Sequence, residues 1–158
     1  ITTLDGRELQ WVNSLRYLGV FLVSANVFCC TFDNNKRSFY RSFNAIFGKV
    51  GRIASHEVVV QLVKSKCLPS LLYGLDVCPV NNKQKKSLDY VITCSFMKMF
   101  DTKSVDVVNT CMHEFNFLKI SSAVASRKAK FLFNYSNHDS NELCQLFSTV
   151  ATRERLSV

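Results

Sequence analysis

The spacing of apolar residues divides the chain near residue 32. Before that point, β-branched and aromatic residues cluster without a helical period, which is typical of extended strands. Asp5-Gly6 adds a strong turn signal. The pattern predicts a small β-hairpin or meander over residues 1–23. Its candidate strand residues are Ile1, Thr2, Thr3, Trp11, Val12, Tyr17, Val20, Phe21 and Val23.

A helical period begins after Phe32. Apolar residues then recur at the spacing of an amphipathic helix. They are Phe39, Phe43, Ile46, Phe47 and Val50. We expect Asp33 to cap the start of this helix and Gly51 to mark its end. Gly48, inside the helix, is either a packing site or a place where another molecule approaches the backbone closely.

Four further helices are predicted downstream from apolar positions at helical spacing. They begin after Ser55 as N-cap, before Leu88, at Ser104 and near Ser122. The apolar side of the second of these four is Leu88, Val91, Ile92, Phe96 and Met99. Pro69 is expected to interrupt the first of the four, with a short buried helical stretch restarting at the proline and including residues 70–75. Residues 136–140 read as a polar loop, and a last helix is predicted around residues 143–150.

The predicted fold class is α+β, mainly α, with an N-terminal β-hairpin and a bundle of about five helices. We divide the chain into residues 1–31 (hairpin), 32–135 (helical domain) and 136–158 (loop and last helix). Of the 158 residues, 47% are hydrophobic and 20% charged, with five glycines and two prolines. This composition excludes a disordered or linker-like chain. No apolar run is long enough to cross a membrane.

The N-terminus lacks an initiator Met and a signal sequence, so we expect an internal piece of a longer protein. Seven cysteines form no evenly spaced disulfide framework. This favours a reduced intracellular setting, nuclear or cytoplasmic.

Positive charge concentrates on the first two helices. The net charge is +8, and one acidic residue, Glu57, lies between Lys36 and Lys66. The basic residues of this stretch are Lys36, Arg37, Arg41, Lys49, Arg52, Lys64 and Lys66. A surplus of this size makes a polyanion the first partner to consider.

The first helix has opposed apolar and cationic faces. When the residues of the first helix are projected at about 100° per residue, five of them fall within one quadrant opposite the phenylalanines. They are Arg37, Arg41, Asn44, Gly48 and Arg52. Guanidinium groups donate paired hydrogen bonds to phosphate, and a glycine lets a sugar-phosphate backbone approach. The alternative is an ordinary solvated face. Residues 34–56 contain no Asp or Glu, whereas solvated faces usually mix both signs.

Signatures of catalysis are mostly missing. No two of the seven Asp are adjacent, so no two-metal centre can be assembled from this sequence, and no metal ligand is assigned. The pair Cys111 and His113 is too short a fragment of a zinc signature. Phosphate-loop, esterase and dinucleotide motifs do not occur, so no small-molecule ligand is expected.

Several segments in order resemble one family. They are 11–20 (WVNSLRYLGV), 39–51 (FYRSFNAIFGKVG), 64–76 (KSKCLPSLLYGLD), 87–89 (SLD) and 97–100 (MKMF). The series is similar to the end of the palm and the thumb of non-long-terminal-repeat (LINE-type, jockey-like) retrotransposon reverse transcriptases. The similarity spans about residues 4–133.

The resemblance implies an RNA-directed DNA polymerase fragment that binds the template-primer duplex and packs on an upstream palm and fingers. By this resemblance, the residues expected to contact the duplex are Arg37, Arg41, Asn44, Gly48, Lys49, Arg52, Lys64 and Lys66. A primer-grip-like hairpin falls on Arg16, Tyr17, Leu18, Gly19 and Val20. The family's catalytic aspartates, which hold Mg²⁺, are not in this sequence, so the fragment is not expected to be catalytic by itself.

Two other classes of function are weighed beside this one. A helical module derived from a degenerate mobile element could dock an acidic protein partner, or bind nucleic acid non-specifically, on the same basic face. Electrostatic attachment to an anionic membrane would use the same charges. It is disfavoured because the opposite face of the basic helix is a phenylalanine-rich core side and not an insertion surface.

Overall fold

A computed structural model describes residues 2, 4–8, 10–51, 53–138 and 141–156 of the chain. The fold is α+β and mainly α, with a small antiparallel sheet followed by helices, as predicted. Some predicted residues lie outside the described residues: Ile1, Thr3, Arg52, Asp139 and Ser140.

The sheet is a three-stranded antiparallel meander of β1 (Ser14–Tyr17), β2 (Val20–Val23) and β3 (Cys29–Thr31). The two residues between β1 and β2 are Leu18 and Gly19, with φ values of 47° and 83°. Two consecutive positive φ values are typical of the type I′ turn that suits the twist of a hairpin. A hairpin within residues 1–23 is therefore confirmed, with its turn at Leu18-Gly19, and the chain also turns at the predicted Asp5-Gly6, between the bridged residues Thr2 and Glu8. Trp11 and Val12 precede β1 and do not pair.

The helices run in chain order after the sheet. They are α1 (Asp33–Val50), α2 (His56–Leu62), a π-helical turn (Val63–Cys67), α3 (Leu68–Leu72), α4 (Asn82–Met99), α5 (Val105–Glu114), α6 (Ile120–Ser136), α7 (Glu142–Leu146) and α8 (Ser148–Leu156). The five helices predicted before residue 136 correspond to α1, the continuous run from α2 to α3, α4, α5 and α6.

The start of α1 differs from the prediction. Asp33 is the first helical residue, and the cap position is Phe32, which is buried and offers no side-chain hydrogen bond. The Asp33 carboxylate instead accepts from the Thr31 hydroxyl at 3.0 Å and pairs with Lys36. The predicted cap is thus wrong, because burial of Phe32 moves the helix start one residue upstream. Gly51 ends the helix as expected.

Pro69 does not break its helix. The π-helical turn precedes it, and Pro69 then occupies the first turn of α3, where a missing backbone N–H costs least. The Ser55 hydroxyl caps α2 by accepting from the Val58 N–H at 3.5 Å, as predicted. Leu71 and Leu72 are buried as expected, but Tyr73 is 53% exposed.

Helix α4 is the central helix of the bundle. Asn81 and Gln84 form a reciprocal capping box at its start. The Gln84 amide also donates to the Cys30 carbonyl at 2.8 Å and so ties the helix to β3. All five apolar residues predicted for this helix face inward or are nearly fully buried: Leu88, Val91, Ile92, Phe96 and Met99.

The last predicted helix is split in two. The structure ends α7 at Leu146 and starts α8 at Ser148, with Phe147 at the junction. The Tyr135 hydroxyl donates to the Leu143 carbonyl at 3.2 Å, and Lys128 pairs with Glu154. These contacts fold α7 and α8 back against α6.

One core joins the sheet to the helices. It runs from Cys30 and Phe32 to Val124, with Val20 and Leu22 of β2 packed against it. Phe39 and Phe43 of α1 are 0% and 1% exposed, and their rings stack at 6.1 Å. Phe47 continues the row at 5.6 Å from Phe43. The predicted inward direction of these phenylalanines is confirmed.

Phe43→Ala should lower the free energy of unfolding by about 3–5 kcal/mol, because it removes a fully buried ring and leaves a cavity. Urea unfolding followed by far-UV circular dichroism measures the change. The matched control is Leu118→Ala, whose side chain is 66% exposed and should change stability by less than about 0.5 kcal/mol. Similar losses for the two variants would contradict the assignment of the core.

Candidate nucleic-acid interface

An open cleft of about 870 Å³ lies between the hairpin, the outer face of α1 and the end of α3. Its walls combine arginine, amide, hydroxyl and aromatic side chains. The lining residues are Arg16, Leu18, Gly19, Phe21, Asn34, Asn35, Arg37, Ser38, Arg41, Pro69, Ser70 and Tyr73. The cleft brings two regions of the sequence, the hairpin and the basic helix, to one place.

The first half of α1 forms the cationic wall. Arg37 and Arg41 are exposed and stand one helical turn apart on the side opposite Phe39 and Phe43. Within the described part of the chain, neither guanidinium makes a hydrogen bond or an ion pair. The arginines keep their charge and their hydrogen-bond donors available, because the phenylalanines hold the opposite face of the helix inward.

The nearest acidic group to this wall is already engaged. Asp33 Oδ1 lies 2.7 Å from Lys36 Nζ. The hydrogen bond from Lys36, followed by that from Thr31, lowers the pKa of Asp33 below its usual value. The carboxylate therefore stays ionised and bound to Lys36. Arg37 also lowers the pKa of Asp33 through charge attraction, as the smallest of the contributions, and the ion pair of Asp33 is with Lys36.

The hairpin forms the opposite wall. Arg16 and Phe21 are cross-strand partners in β1 and β2, and the Arg16 guanidinium carbon lies 5.8 Å from the centre of the Phe21 ring. Stacking of this kind orients a guanidinium without neutralising its charge. Leu18 at the tip is 74% exposed and has left-handed backbone geometry, which costs about 1–2 kcal/mol in a residue with a Cβ atom.

The end of α3 locks the hairpin in place. The Tyr73 hydroxyl donates to the Leu18 carbonyl at 2.7 Å. A Cβ atom on Gly19 would lie 3.0 Å from the Tyr73 ring, so the turn needs both the positive φ and the small size of glycine. The Asn35 amide donates to the carbonyls of Leu71 and Tyr73 at 3.3 and 2.8 Å. Helices α1 and α3 are thus joined beneath the cleft.

The structure gathers some of the residues predicted for the site and separates others. Arg37 and Arg41 line the cleft together with Arg16, Leu18 and Gly19. Two members of the predicted primer-grip-like hairpin do not line it. Tyr17 is exposed outside the cleft, and Val20 packs on the core beside Gly74.

Other predicted contact residues lie farther from the cleft. Lys64 Nζ donates to the carbonyls of Phe115 and Asn116 at 2.7 and 3.1 Å and so caps the end of α5. Asn44 accepts from Lys98 Nζ at 2.9 Å. Gly48, Lys49 and Lys66 are exposed outside the cleft. Of these residues, Lys64 has the clearest structural role, because its ammonium group is hydrogen-bonded to two backbone carbonyls.

Sequence reasoning missed several residues of the cleft. Asn34 projects onto the same helical quadrant as Arg37 and Arg41, so the helical period could have identified it. Nothing in the sequence around Ser38 and Ser70 distinguishes them from other surface serines. Tyr73 was grouped with a segment expected to be buried, and only its hydrogen bond to the hairpin reveals its place.

The chemistry of the remaining reactive groups does not suggest a nucleophile. Burial raises the pKa of Cys78 to about 12, with the Cys30 thiol beside it adding to the effect. Burial likewise raises the pKa of Cys67. In the described ranges, no three His, Cys, Asp or Glu side chains come together as metal ligands, and no helix has the length and hydropathy to cross a bilayer.

Gly48→Ala should raise the free energy of unfolding by about 0.5–1 kcal/mol, because glycine is a poor helix former. A Cβ atom at this position meets nothing within 4 Å. Urea unfolding measures the gain, and Ala45→Gly on the same exposed face should produce the opposite change. A loss of stability in Gly48→Ala would show that the position is a packing site.

Comparison with known proteins identifies no relative for this arrangement. No protein-family model, curated protein or solved structure matches the chain. A functional assignment must therefore come from the chemistry of the cleft and the adjoining surface.

Proposed function

We propose that this chain binds the sugar-phosphate backbone of a template-primer duplex, as the duplex-contacting part of an RNA-directed DNA polymerase of a non-long-terminal-repeat retrotransposon. The observation that carries the proposal is the pair of exposed arginines, Arg37 and Arg41, on the wall of an open cleft, neither of which forms an ion pair within the described residues. Arg16 faces them from the hairpin.

The geometry favours phosphate contact over sequence reading. Two guanidinium groups one turn apart can each donate two hydrogen bonds to phosphate oxygens. The hydroxyls of Ser38 and Ser70 add neutral donors in the same cleft. Contacts of this type position a nucleic acid without reading its bases. We therefore expect binding that depends on duplex shape and on salt and does not depend on sequence.

The family resemblance supports the same proposal from a separate direction. It assigns primer positioning to the hairpin around Leu18 and duplex contact to the helix carrying Arg37. These two regions line a single cleft. The catalytic aspartates and Mg²⁺ belong, by the resemblance, to an upstream motif that this sequence does not contain, so the proposal assigns no catalytic step to these residues.

The test is binding of a fluorescent RNA/DNA hybrid by Arg37→Ala/Arg41→Ala across a range of salt concentrations. The wild-type chain should bind with a Kd near the micromolar to sub-millimolar range of non-specific complexes, about 10⁻⁶–10⁻⁴ M. The double variant should bind more weakly. Its plot of log K against log salt should be shallower by about 2, since two phosphate contacts are lost.

The control is Lys130→Ala/Arg153→Ala, which removes two exposed positive charges from α6 and α8. It should keep the wild-type salt slope. Equal binding by the wild type and the Arg37→Ala/Arg41→Ala variant would contradict the proposal. A bound protein partner that excess hybrid does not displace would instead favour a protein-interaction module.

A further inference from the structure

Helices α1 and α4 lie side by side at the surface. Lys36 Nζ donates to the Ser87 hydroxyl at 3.2 Å within the first two turns of the helices, and Lys98 Nζ, in the last turn of α4, donates at 2.9 Å to Asn44 Oδ1 in the second half of α1. Contacts between early residues of both helices and between late residues of both show that the two run in the same direction. Packed helices are about 8–10 Å apart.

The middle of this junction is aromatic. Tyr40 of α1 and Tyr90 of α4 both lie beside the Cys94 thiol. Burial, followed by this thiol, raises the pKa of Tyr40, and hydrogen bonding with the thiol raises the pKa of Tyr90. Lys98 also lies 5.9 and 5.7 Å from the ring centres of Phe43 and Phe47. The two helices are therefore in contact along the junction from Lys36 to Lys98.

The outer face of α4 carries its own row of basic residues. Lys83 and Lys86 are exposed, and Tyr90, which follows them on the same face, is 65% exposed. Neither lysine pairs with a carboxylate in the part of the chain that the structure describes. Asp89 is the single acidic residue of α4, and its Oδ1 accepts from the Ile120 N–H at 2.7 Å, on the side of α6.

Other charged groups near this surface do not neutralise the row. Asp33 pairs with Lys36 at the junction, and Asp101 lies beyond the end of α4. Lys85 is half-buried, and Lys98 is held by Asn44. Lys83 and Lys86 are thus the two lysines of α4 whose ammonium groups are exposed with no partner in the described chain.

We propose that the α4 row, Lys83 and Lys86 with Tyr90, contacts the second strand of the duplex whose first strand lies on Arg37 and Arg41. This inference rests on the proposed function. A single strand offers one line of phosphates, which one row can hold. A duplex offers two lines separated by a groove, and two parallel rows on neighbouring helices match them. The α4 row makes the surface selective for duplex over single-stranded nucleic acid.

The test compares a hybrid duplex with a single strand of equal length, using Lys83→Gln/Lys86→Gln in the full 158-residue chain. The variant should bind the hybrid roughly 5- to 10-fold more weakly at low salt, as expected for two exposed ionic contacts. Its salt slope for the hybrid should be shallower by about 2. Binding of the single strand should stay unchanged, so the preference for duplex should shrink by the same factor.

The matched control is Lys119→Gln/Lys130→Gln, two exposed lysines on the α6 side of the molecule, which should keep the wild-type preference. Far-UV circular dichroism verifies that both variants are folded. Hybrid binding equal to the control, with loss of binding in Arg37→Ala/Arg41→Ala, would overturn this inference and leave the proposed function standing. Equal weakening for hybrid and single strand would also overturn it. If hybrid binding is unchanged in both the Arg37→Ala/Arg41→Ala and the Lys83→Gln/Lys86→Gln variants, the proposed function is contradicted as well.

Discussion

The stacked phenylalanines on the inner face of α1 are the interaction on which the rest of the structure depends. Phe39 and Phe43 are almost completely buried, and Phe47 extends the stack toward the end of the helix. A helix anchored along one face has its opposite face fixed in direction. The rings therefore determine that Arg37 and Arg41 point away from the core. Removing the rings would lower the stability of the fold and would also leave the basic face without a fixed orientation.

A second constraint holds the hairpin opposite the basic face of α1. The Tyr73 hydroxyl holds the Leu18 carbonyl, and Gly19 leaves room for the Tyr73 ring. Asn35 joins the same end of α3 to α1. The hairpin is thus held across an open cleft from the arginines by hydrogen bonds between segments distant in sequence. A fixed cleft with charged walls holds a polyanion at a smaller loss of conformational entropy than flexible basic tails would.

Local sequence patterns predicted the elements that depend on local physics. The period of α1 and α4 located their buried faces, Ser55 was correctly predicted as a helix cap, and Ser104 was correctly predicted to open a helix. Asp33 was misplaced as a cap because burial of Phe32 is a tertiary effect. The cleft itself could be predicted only in part. The helical period gathered Arg37 and Arg41, but nothing in the sequence pairs Tyr73 with Leu18, and nothing shows that Lys64 caps α5, since those contacts join residues about fifty positions apart.

The most direct measurement of the central claim is an NMR titration of the wild-type chain with an RNA/DNA hybrid, observing the side-chain Nε–Hε signals of the arginines. We expect saturable shifts of the Arg37 and Arg41 signals that salt reverses, while the Arg127 signal, whose guanidinium lies 3.8 Å from Asp76, stays in place. Unmoved Arg37 and Arg41 signals at a hybrid concentration that shifts other arginines would contradict the central claim.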